Sequence, residues 1–239
     1  MKSKSIIFFI LAIFIGTNVI AQQVKLSSDT TTKSFDFSDY SKLDVASDFK
    51  VNVTLSSKKE AITVTTNSNL MDYVTVYKEG NTLFLRLKKN TWFKGRMVLD
   101  VAISTAMITD FTASSDAIIT LNTALTTDTV RIDCKGDAVF KGIVTAKTLF
   151  INGKSDAKIT LSGAANTMTM NLKSDSEFIN KDFTVQNLTV SLAGDSKATL
   201  TVTNMLDATA SGDSELRYAG NPSKVKQSSR GDSDIRAIK

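Results

Sequence analysis

The sequence predicts an all-β protein built as a right-handed parallel β-solenoid, with rungs of about 19 residues. Three observations predict this fold. A short motif centred on aspartate returns every 18–21 residues between about residue 109 and residue 239. Apolar and polar residues alternate before each aspartate, as in a strand with one buried face. The chain also contains a single proline, and parallel sheets exclude proline because it removes a ladder hydrogen bond.

The motif is a small residue, an aspartate and a second small residue. Gly or Ser precedes each aspartate, Ala or Ser follows it, and an apolar residue lies two positions further on. These residues favour tight turns, and we expect the aspartate side chains to accept backbone N–H bonds there. Each copy is therefore interpreted as strand, turn, strand. The seven aspartates are Asp116, Asp137, Asp156, Asp175, Asp195, Asp213 and Asp232.

The strand before each turn has one apolar face. Its apolar residues lie seven, five and three positions before the aspartate: Val130, Ile132 and Cys134 in one copy, Met168, Met170 and Leu172 in another. One copy cannot bury such a face alone, but stacked copies place each apolar side chain against its equivalents. We expect rungs about 4.8 Å apart. Gln227 and Ser229 stand at apolar positions of the last copies, which indicates a polar terminus that prevents edge-to-edge growth.

Residues 35–108 are expected to contain a degenerate first rung and an inserted β-layer, and residues 109–239 the regular solenoid, in one domain 35–239. Ser47-Asp48 matches the motif, although Phe49 replaces the small residue that follows. We expect an antiparallel layer over one end or side of the solenoid, with Glu79-Gly80-Asn81 as a hairpin turn. Its strand-like runs are residues 61–66, 74–78, 83–87 and 97–103.

The first 21 residues are predicted to be a secretory signal peptide. Lys2 and Lys4 precede a short apolar run at residues 6–15, and Ala21 supplies the small residue before cleavage. The mature chain would begin near Gln22, without a membrane span, and an uncleaved anchor is the alternative. We expect an exported protein of the periplasm, cell surface or extracellular space. Residues 22–34, rich in Ser, Thr, Asp and Gln, are predicted to be a flexible lead-in.

Composition excludes several kinds of chemistry. The chain has no histidine, so Ser-His-Asp and Cys-His catalytic sites are impossible, and the usual zinc sites fail as well. Cys134, the only cysteine, cannot form an intramolecular disulfide and is predicted to be a small core residue. A net charge of +5 without a basic block gives no argument for nucleic-acid binding. We expect neither enzyme activity nor a cofactor.

The column of turn aspartates permits one alternative, a calcium site. Stacked carboxylates bind Ca²⁺ in some solenoids with shorter repeats. Here each turn contributes one well-placed carboxylate, so a role in forming the turn is the favoured interpretation, and Ca²⁺ on the column stays open.

A surface segment at residues 87–96 is the candidate ligand-binding site. It holds the only tryptophan, and we expect it to be a loop between strands. Aromatic and cationic side chains together suit a glycan, an anionic surface or a protein partner. The alternative is that the two aromatic residues pack over the end of the solenoid while the cations stay solvated. The candidate residues are Trp92, Phe93, Lys94 and Arg96.

Several motifs, in order, resemble one known family. They are FSDYSKLDV at residues 37–45, DFKVNV at 48–53, EGNTL at 79–83, the repeated Gly/Ser-Asp-Ala/Ser turns and YAGNP at 218–222. Together they resemble the auto-transporter adhesin head domain, also called the GIN or DUF2807 domain, which is common in Bacteroidota. The likeness covers residues 35–238. The family turn is often Gly-Ser-Gly, whereas here aspartate takes the middle place.

The resemblance implies an exported β-helical domain of the cell envelope with a role in adhesion. It supplies no catalytic residues, and it names neither a ligand nor an oligomeric state. The function predicted is therefore a non-enzymatic binding or structural module whose partner is an envelope or extracellular glycan, surface or protein. A carbohydrate-active β-helix enzyme such as a polysaccharide lyase is the alternative.

Overall fold

A computed structural model describes residues 22–56 and 60–239, and within these ranges the chain forms nineteen strands, one 3₁₀ turn at Met71–Tyr73 and no α-helix. The signal peptide predicted for residues 1–21 lies outside the described residues. In chain order the strands are β1 (Gln22–Lys25), β2 (Thr30–Phe35), β3 (Lys42–Ala46), β4 (Lys50–Leu55), β5 (Ala61–Asn67), β6 (Val74–Glu79), β7 (Thr82–Leu87), β8 (Thr91–Lys94), β9 (Leu99–Thr105), β10 (Asp110–Ser114), β11 (Ile118–Leu121), β12 (Leu125–Lys135), β13 (Val139–Lys154), β14 (Lys158–Lys173), β15 (Glu177–Gly194), β16 (Lys197–Gly212), β17 (Glu215–Ala219), β18 (Lys224–Arg230) and β19 (Asp234–Ala237).

Strands β10 to β19 stack as parallel rungs. Ile132 on β12 lies beside Ile151 on β13, which in turn lies beside Met170 on β14. The same column continues to Val190 and Ala208. Each long strand from β13 to β16 runs from one aspartate turn to the next. Its first part is the strand after one turn, and its last part is the strand before the following turn. The predicted parallel β-solenoid is confirmed.

The inward-facing residues form one hydrophobic core along the solenoid. The positions that alternation assigned to the buried face are buried, and Cys134 among them is 1% exposed. Aromatic rings pack edge to face in this core, with ring centroids 5.0 Å apart for Phe111 and Phe140 and 5.7 Å apart for Phe178 and Phe183. Fully burying one such side chain contributes about 1.5–3 kcal/mol. The stacked copies therefore bury the apolar face that a single rung would leave in water.

The turns depend on a left-handed residue before each aspartate. This backbone costs a residue with a Cβ roughly 1–2 kcal/mol, which favours glycine. Stacking tightens the constraint, because a Cβ on Gly194 would lie 2.9 Å from the Cα of Ser174 in the rung before it. The residues with positive φ at this position are Ser47, Ser115, Gly136, Ser155, Ser174, Gly194, Gly212 and Gly231.

The residue after the aspartate, rather than the aspartate, makes the side-chain hydrogen bonds of the later turns. The buried Ser176 hydroxyl accepts from the Lys173 N–H at 3.0 Å and donates to the Lys173 carbonyl at 3.0 Å. Ser214 and Ser233 make the same pair of bonds in their own turns. In the described chain the seven aspartate side chains are exposed and accept no hydrogen bond. The expectation that they accept backbone N–H bonds is wrong, and in the later turns a serine reaches those groups from inside the turn.

The turn at Ser47-Asp48 belongs to a rung that stacks on the solenoid. Strands β3 and β4 flank this turn and pair in parallel with β10 and β11, which places Leu43 beside Phe111. The insertion is antiparallel where β5 pairs with β2 and β9, and where β6 and β7 form a hairpin across Gly80-Asn81. Strands β7 and β9 also pair in parallel with β3 and β4. The insertion thus adds a partial rung before the first one.

Residues 22–34 differ from the flexible lead-in that we expected. Strand β1 pairs in parallel with β8, and β2 pairs with β5 in an antiparallel arrangement. The hydroxyls of Thr32 and Thr65 lie 2.8 Å apart across the second pair. Polar composition suggested disorder, but threonine and valine suit the edge of a sheet. The paired residues lie at least 27 positions apart in the sequence (Phe35 and Ile62 are the nearest), so local composition does not reveal them.

The C-terminal end of the solenoid is polar, as predicted. Every residue of β18 is exposed, including Gln227 and Ser229. Within the described ranges β18 pairs only with β16, and β19 pairs only with β17. Lys224, Lys226 and Arg230 lie on this outer strand. Charged side chains on an edge strand discourage pairing with another chain.

Alanine substitutions at two glycines can distinguish two costs in the free energy of unfolding. One is the cost of placing a Cβ on left-handed backbone, and the other is the cost of placing it against the neighbouring rung. Gly80 has a φ of +56° and open space where a Cβ would lie, whereas Gly194 has a φ of +76° with the Ser174 backbone 2.9 Å from that place. We expect Gly80→Ala to lower the free energy of unfolding by about 1 kcal/mol, and Gly194→Ala to lower it by at least about 2 kcal/mol. Urea unfolding followed by circular dichroism measures both. Equal losses would show that the stacked turns do not constrain this position.

Candidate functional site

The strand before each aspartate turn presents a flat outward face, which we call the polar face. Parallel register places equivalent residues of successive rungs in columns along the solenoid. Two columns matter here. The Asn column, four positions before each aspartate, is Thr112, Asp133, Asn152, Asn171, Ser191, Thr209 and Ser228. The Lys column, two positions before each aspartate, is Ser114, Lys135, Lys154, Lys173, Ala193, Ser211 and Arg230.

Three hollows lie in line on the polar face. The first, of about 240 Å³, contains Asp44, Thr112 and Asp133. The second, of about 380 Å³, is lined by residues of both columns from Lys135 to Ser191. The third, of about 320 Å³, continues from Ser191 to Arg230. We call this line of hollows the furrow. It runs along the solenoid and crosses the strands.

The floor of the furrow is a ladder of amide side chains. The Asn152 amide donates to Asp133 Oδ1 at 2.7 Å, and the Asn171 amide donates to Asn152 Oδ1 at 3.2 Å. Each amide group carries two N–H donors and an acceptor oxygen, and the ladder uses one donor of each asparagine. The remaining polar capacity faces outward. It suits a ligand that offers hydroxyl groups at regular intervals.

One side of the furrow is cationic. Lys135, Lys154 and Lys173 stand side by side on three neighbouring rungs and are exposed. None of the three has an ion pair within residues 22–56 and 60–239. The exposed turn aspartates follow two residues later, at the corner of the rung. The furrow is thus bordered by a column of ammonium groups, with a column of carboxylates beyond it.

The carboxylates inside the furrow are already paired. Asp44 lies 3.0 Å from the Arg86 guanidinium, and Asp133 accepts from the Asn152 amide. The described residues contain no cluster of three acidic, cysteine or histidine side chains that could hold a metal ion. Calcium on the turn column stays the untested alternative, with each turn presenting one exposed carboxylate.

The structure separates the two aromatic residues of the predicted binding segment. They lie on a strand, β8, rather than in a loop. Phe93 points inward, and its ring packs edge to face on Tyr73 with centroids 5.3 Å apart. Trp92 points outward and is 69% exposed. Lys94 and Arg96 are exposed beside it. The alternative in which both rings pack on the solenoid therefore holds for Phe93 alone.

The furrow lies on other strands than Trp92, and the sequence reasoning missed it. A signal for it exists in the repeat. At four positions before the aspartate stand Asn152 and Asn171, and at two positions before it stand three lysines. Aligned copies with the same polar residue at one offset indicate a column on the outer face, because stacking places equal offsets side by side.

Cys134 is a core residue, as predicted. Its side chain is 1% exposed. Burial first, and the neighbouring Asp133 carboxylate second, raise the pKa of the Cys134 thiol to about 12. A thiol in this state is a poor nucleophile, because the reactive form is the thiolate.

The comparisons with known proteins agree on the fold. A family described as "Putative auto-transporter adhesin, head GIN domain" (DUF2807) matches residues 39–222. Curated proteins give no match. A crystal structure described as "a putative adhesin" from Bacteroides fragilis has a TM-score of 0.84 at 20% identity, over 90% of this chain and 100% of that one. Another from Parabacteroides merdae, described likewise, has a TM-score of 0.74 at 20% identity, over 92% and 100%.

A third solved structure carries a different description. It is a "Putative lipid binding protein" from Parabacteroides distasonis, with a TM-score of 0.75 at 19% identity, over 91% of this chain and 100% of that one. Identities at this level show a shared fold. Among the residues with described structure, there is no helix that is long and apolar enough to cross a membrane.

Alanine substitutions at the two neighbouring aromatic residues of β8 are expected to differ in their effect on stability. We expect Trp92→Ala to change the free energy of unfolding by no more than about 0.5 kcal/mol, because the ring is 69% exposed. We expect Phe93→Ala to cost about 2 kcal/mol, because it empties the contact with Tyr73. Urea unfolding followed by circular dichroism compares them. A larger loss for Trp92→Ala would show that the tryptophan is a packing residue.

The buried thiol predicts a loss of stability at alkaline pH. The folded pKa of Cys134, about 12, lies above its ordinary value of 9.0. The contribution of the neutral thiol is therefore complete below pH 9 and is lost as the pH rises from 9 to 12. We expect the difference in unfolding free energy between wild type and Cys134→Ala to shrink over this range. Tyr40, whose pKa burial raises to about 12, is present in both proteins and cancels. A constant difference from pH 8 to pH 11 contradicts the prediction.

Proposed function

The chain belongs to the family of auto-transporter adhesin head GIN domains (DUF2807), and from this we propose that it is a non-enzymatic binding protein of the cell envelope. In this proposal the furrow on the polar face holds an extended glycan. The observation that carries the proposal is the alignment of three hollows over successive rungs. An extended polymer matches a site that repeats along one direction.

A glycan suits the furrow better than a peptide does. The Asn column offers amides and hydroxyls, which bond well to sugar hydroxyls, and it presents side chains rather than a free strand edge. Peptides that bind extended along a β-sheet use the unpaired backbone of an edge strand. The backbone of the polar face is already paired on both sides from β12 to β16. The lysines beside the column favour a glycan that carries acidic groups.

The carboxylates in the furrow are paired with other side chains, and this favours binding of a glycan without its hydrolysis. Glycoside hydrolysis needs two carboxyl groups on either side of the bond to be broken, one of them free to give a proton. Asp44 in the furrow is held by Arg86 at 3.0 Å, and Asp133 is held by Asn152 at 2.7 Å. Carboxylates held in such pairs fix the positions of neighbouring side chains and are not free to give a proton. They support binding over the alternative of a carbohydrate-active enzyme.

The family description supports a place in the envelope and a part in adhesion. In this proposal the predicted signal peptide directs export, and the folded domain works in the periplasm or on the cell surface. The description of one similar fold as lipid-binding adds a second class of ligand. The solenoid provides a scaffold for either, because parallel backbone pairing holds its polar columns in register.

A paired set of variants tests the furrow. We expect the wild-type protein to bind members of a panel of neutral and uronate-containing glycans, and Asn152→Ala with Asn171→Ala to weaken that binding about tenfold or more, since it removes the ladder amides. The matched control is Thr160→Ala with Thr199→Ala, on the outward side of the strands that follow the turns. Calorimetry measures affinity, and thermal melting checks folding.

The outcomes separate the candidate functions. Equal affinity in both double variants would remove the furrow as the binding site. Binding to no glycan on the panel would contradict the proposed ligand class. Shortened or unsaturated glycan products after incubation would favour the polysaccharide lyase instead.

A further inference from the structure

A second surface, at the N-terminal end of the solenoid, is distinct from the furrow. We call it the Trp92 surface, and it consists of Lys25, Lys88, Lys89, Trp92, Lys94 and Arg96. It is built on the two-stranded sheet of β1 and β8, in which Trp92 lies beside Gln23 and Lys94 lies beside Lys25. This sheet is separate from the seventeen strands of the solenoid and insertion.

The tryptophan is held outward by its own strand. Neighbouring residues of a strand point to opposite sides, and Phe93 is anchored on Tyr73 at 5.3 Å. The Leu26 N–H donates to the Lys94 carbonyl at 2.9 Å and extends the pairing of β1 with β8. Trp92 thus remains 69% exposed on a fixed strand, and it lines none of the five main hollows on the described surface.

The charge around the tryptophan is positive and unneutralised. The five cations of the Trp92 surface are exposed, and none makes an ion pair in the described part of the chain. The acidic residues in the adjoining segments are Asp29, Asp72 and Asp100, all exposed and without an ion pair to these cations. Five positive and three negative charges leave a net of +2. Elsewhere several exposed cations have carboxylate partners, such as Lys147 with Asp128 at 2.9 Å.

A protruding indole among cations matches the interface of an anionic membrane. Tryptophan favours the headgroup region of bilayers, where its ring is half in apolar surroundings. Each lysine or arginine near an anionic leaflet contributes about 1 kcal/mol. The hollow that Arg96 lines, of about 390 Å³, does not include the ring, so the indole is an exposed projection and not the wall of a pocket. We propose that the Trp92 surface docks the protein on anionic phospholipid headgroups.

Docking at this end has a definite orientation. Along the solenoid, the partial rung of β7 and β9 comes first, followed by β3 with β4 and then by β10 with β11. Strand β8 lies between β7 and β9 in the chain, so the Trp92 surface belongs to the first end. The furrow continues toward the other end, up to Arg230. A protein docked through Trp92 has the first hollow of its furrow, which Thr82 and Phe84 of β7 help to line, at the docked end, and the rest of the furrow extends away from the lipid.

Vesicle binding tests the proposal with the purified full chain. The probes are vesicles of phosphatidylglycerol mixed with phosphatidylcholine, and vesicles of phosphatidylcholine alone. We expect binding to the anionic vesicles only, and a blue shift of emission from Trp92, the single tryptophan. Lys94→Gln with Arg96→Gln should weaken binding about 25-fold, at roughly fivefold per charge, and Trp92→Ala should abolish the emission change and weaken binding several-fold.

The matched control is Lys154→Gln with Lys173→Gln, which removes the same charge from the furrow. All variants share residues 1–21, so any contribution of that segment cancels. An equal loss in the control would show a non-specific response to net charge and would overturn the proposal, as would equal binding to neutral vesicles. The result is independent of the proposed function, because Asn152→Ala with Asn171→Ala should still bind vesicles fully.

Discussion

The structure depends on the parallel pairing of equivalent residues in successive rungs. This pairing places like side chains in columns, so a residue chosen at one position faces its own counterparts above and below. Inside, the columns form the apolar core. At the corners, they require the same left-handed residue in each rung, with backbone so close that Gly194 has Ser174 within 2.9 Å of where its Cβ would be. Only the small residues Gly and Ser stand in this left-handed position before the aspartates.

Much of the fold could be predicted from the sequence because the repeat is itself the fold. The spacing of the aspartates indicates the rungs, the alternation before them indicates the buried face, and Gly80-Asn81 indicates the hairpin. What could not be predicted depends on distant partners. Strand β1 exists because β8 lies beside it, and neither four-residue strand has a pattern long enough to recognise. The same fact explains why the sequence suggests one common role for Trp92 and Phe93: without a strand, nothing indicates that they point to opposite sides.

The polar parts of the molecule were harder to predict than the apolar ones. An aspartate at a turn suggests a hydrogen-bond acceptor, yet the buried hydroxyl of Ser176 takes that role at 3.0 Å. The earlier rungs carry Ala117, Ala138 and Ala157 at the same place, so the turn forms without such a bond. Its geometry is therefore set by stacking, and the serine bond is an addition. The furrow is hidden for a related reason, since its asparagines are 19 residues apart in the chain and meet only through the ladder.

The direction of the backbone hydrogen bonds has a mechanical consequence. In a solenoid these bonds run along the long direction, from one rung to the next, as in the bond from the Val139 N–H to the Ala117 carbonyl at 2.8 Å. A load applied between the first end and the last rung pulls along the bonds, so they open in sequence rather than all at once in shear. Strand β18, every residue of which is exposed, is the first to open. A solenoid of this design yields gradually under tension and re-forms from the rung that remains.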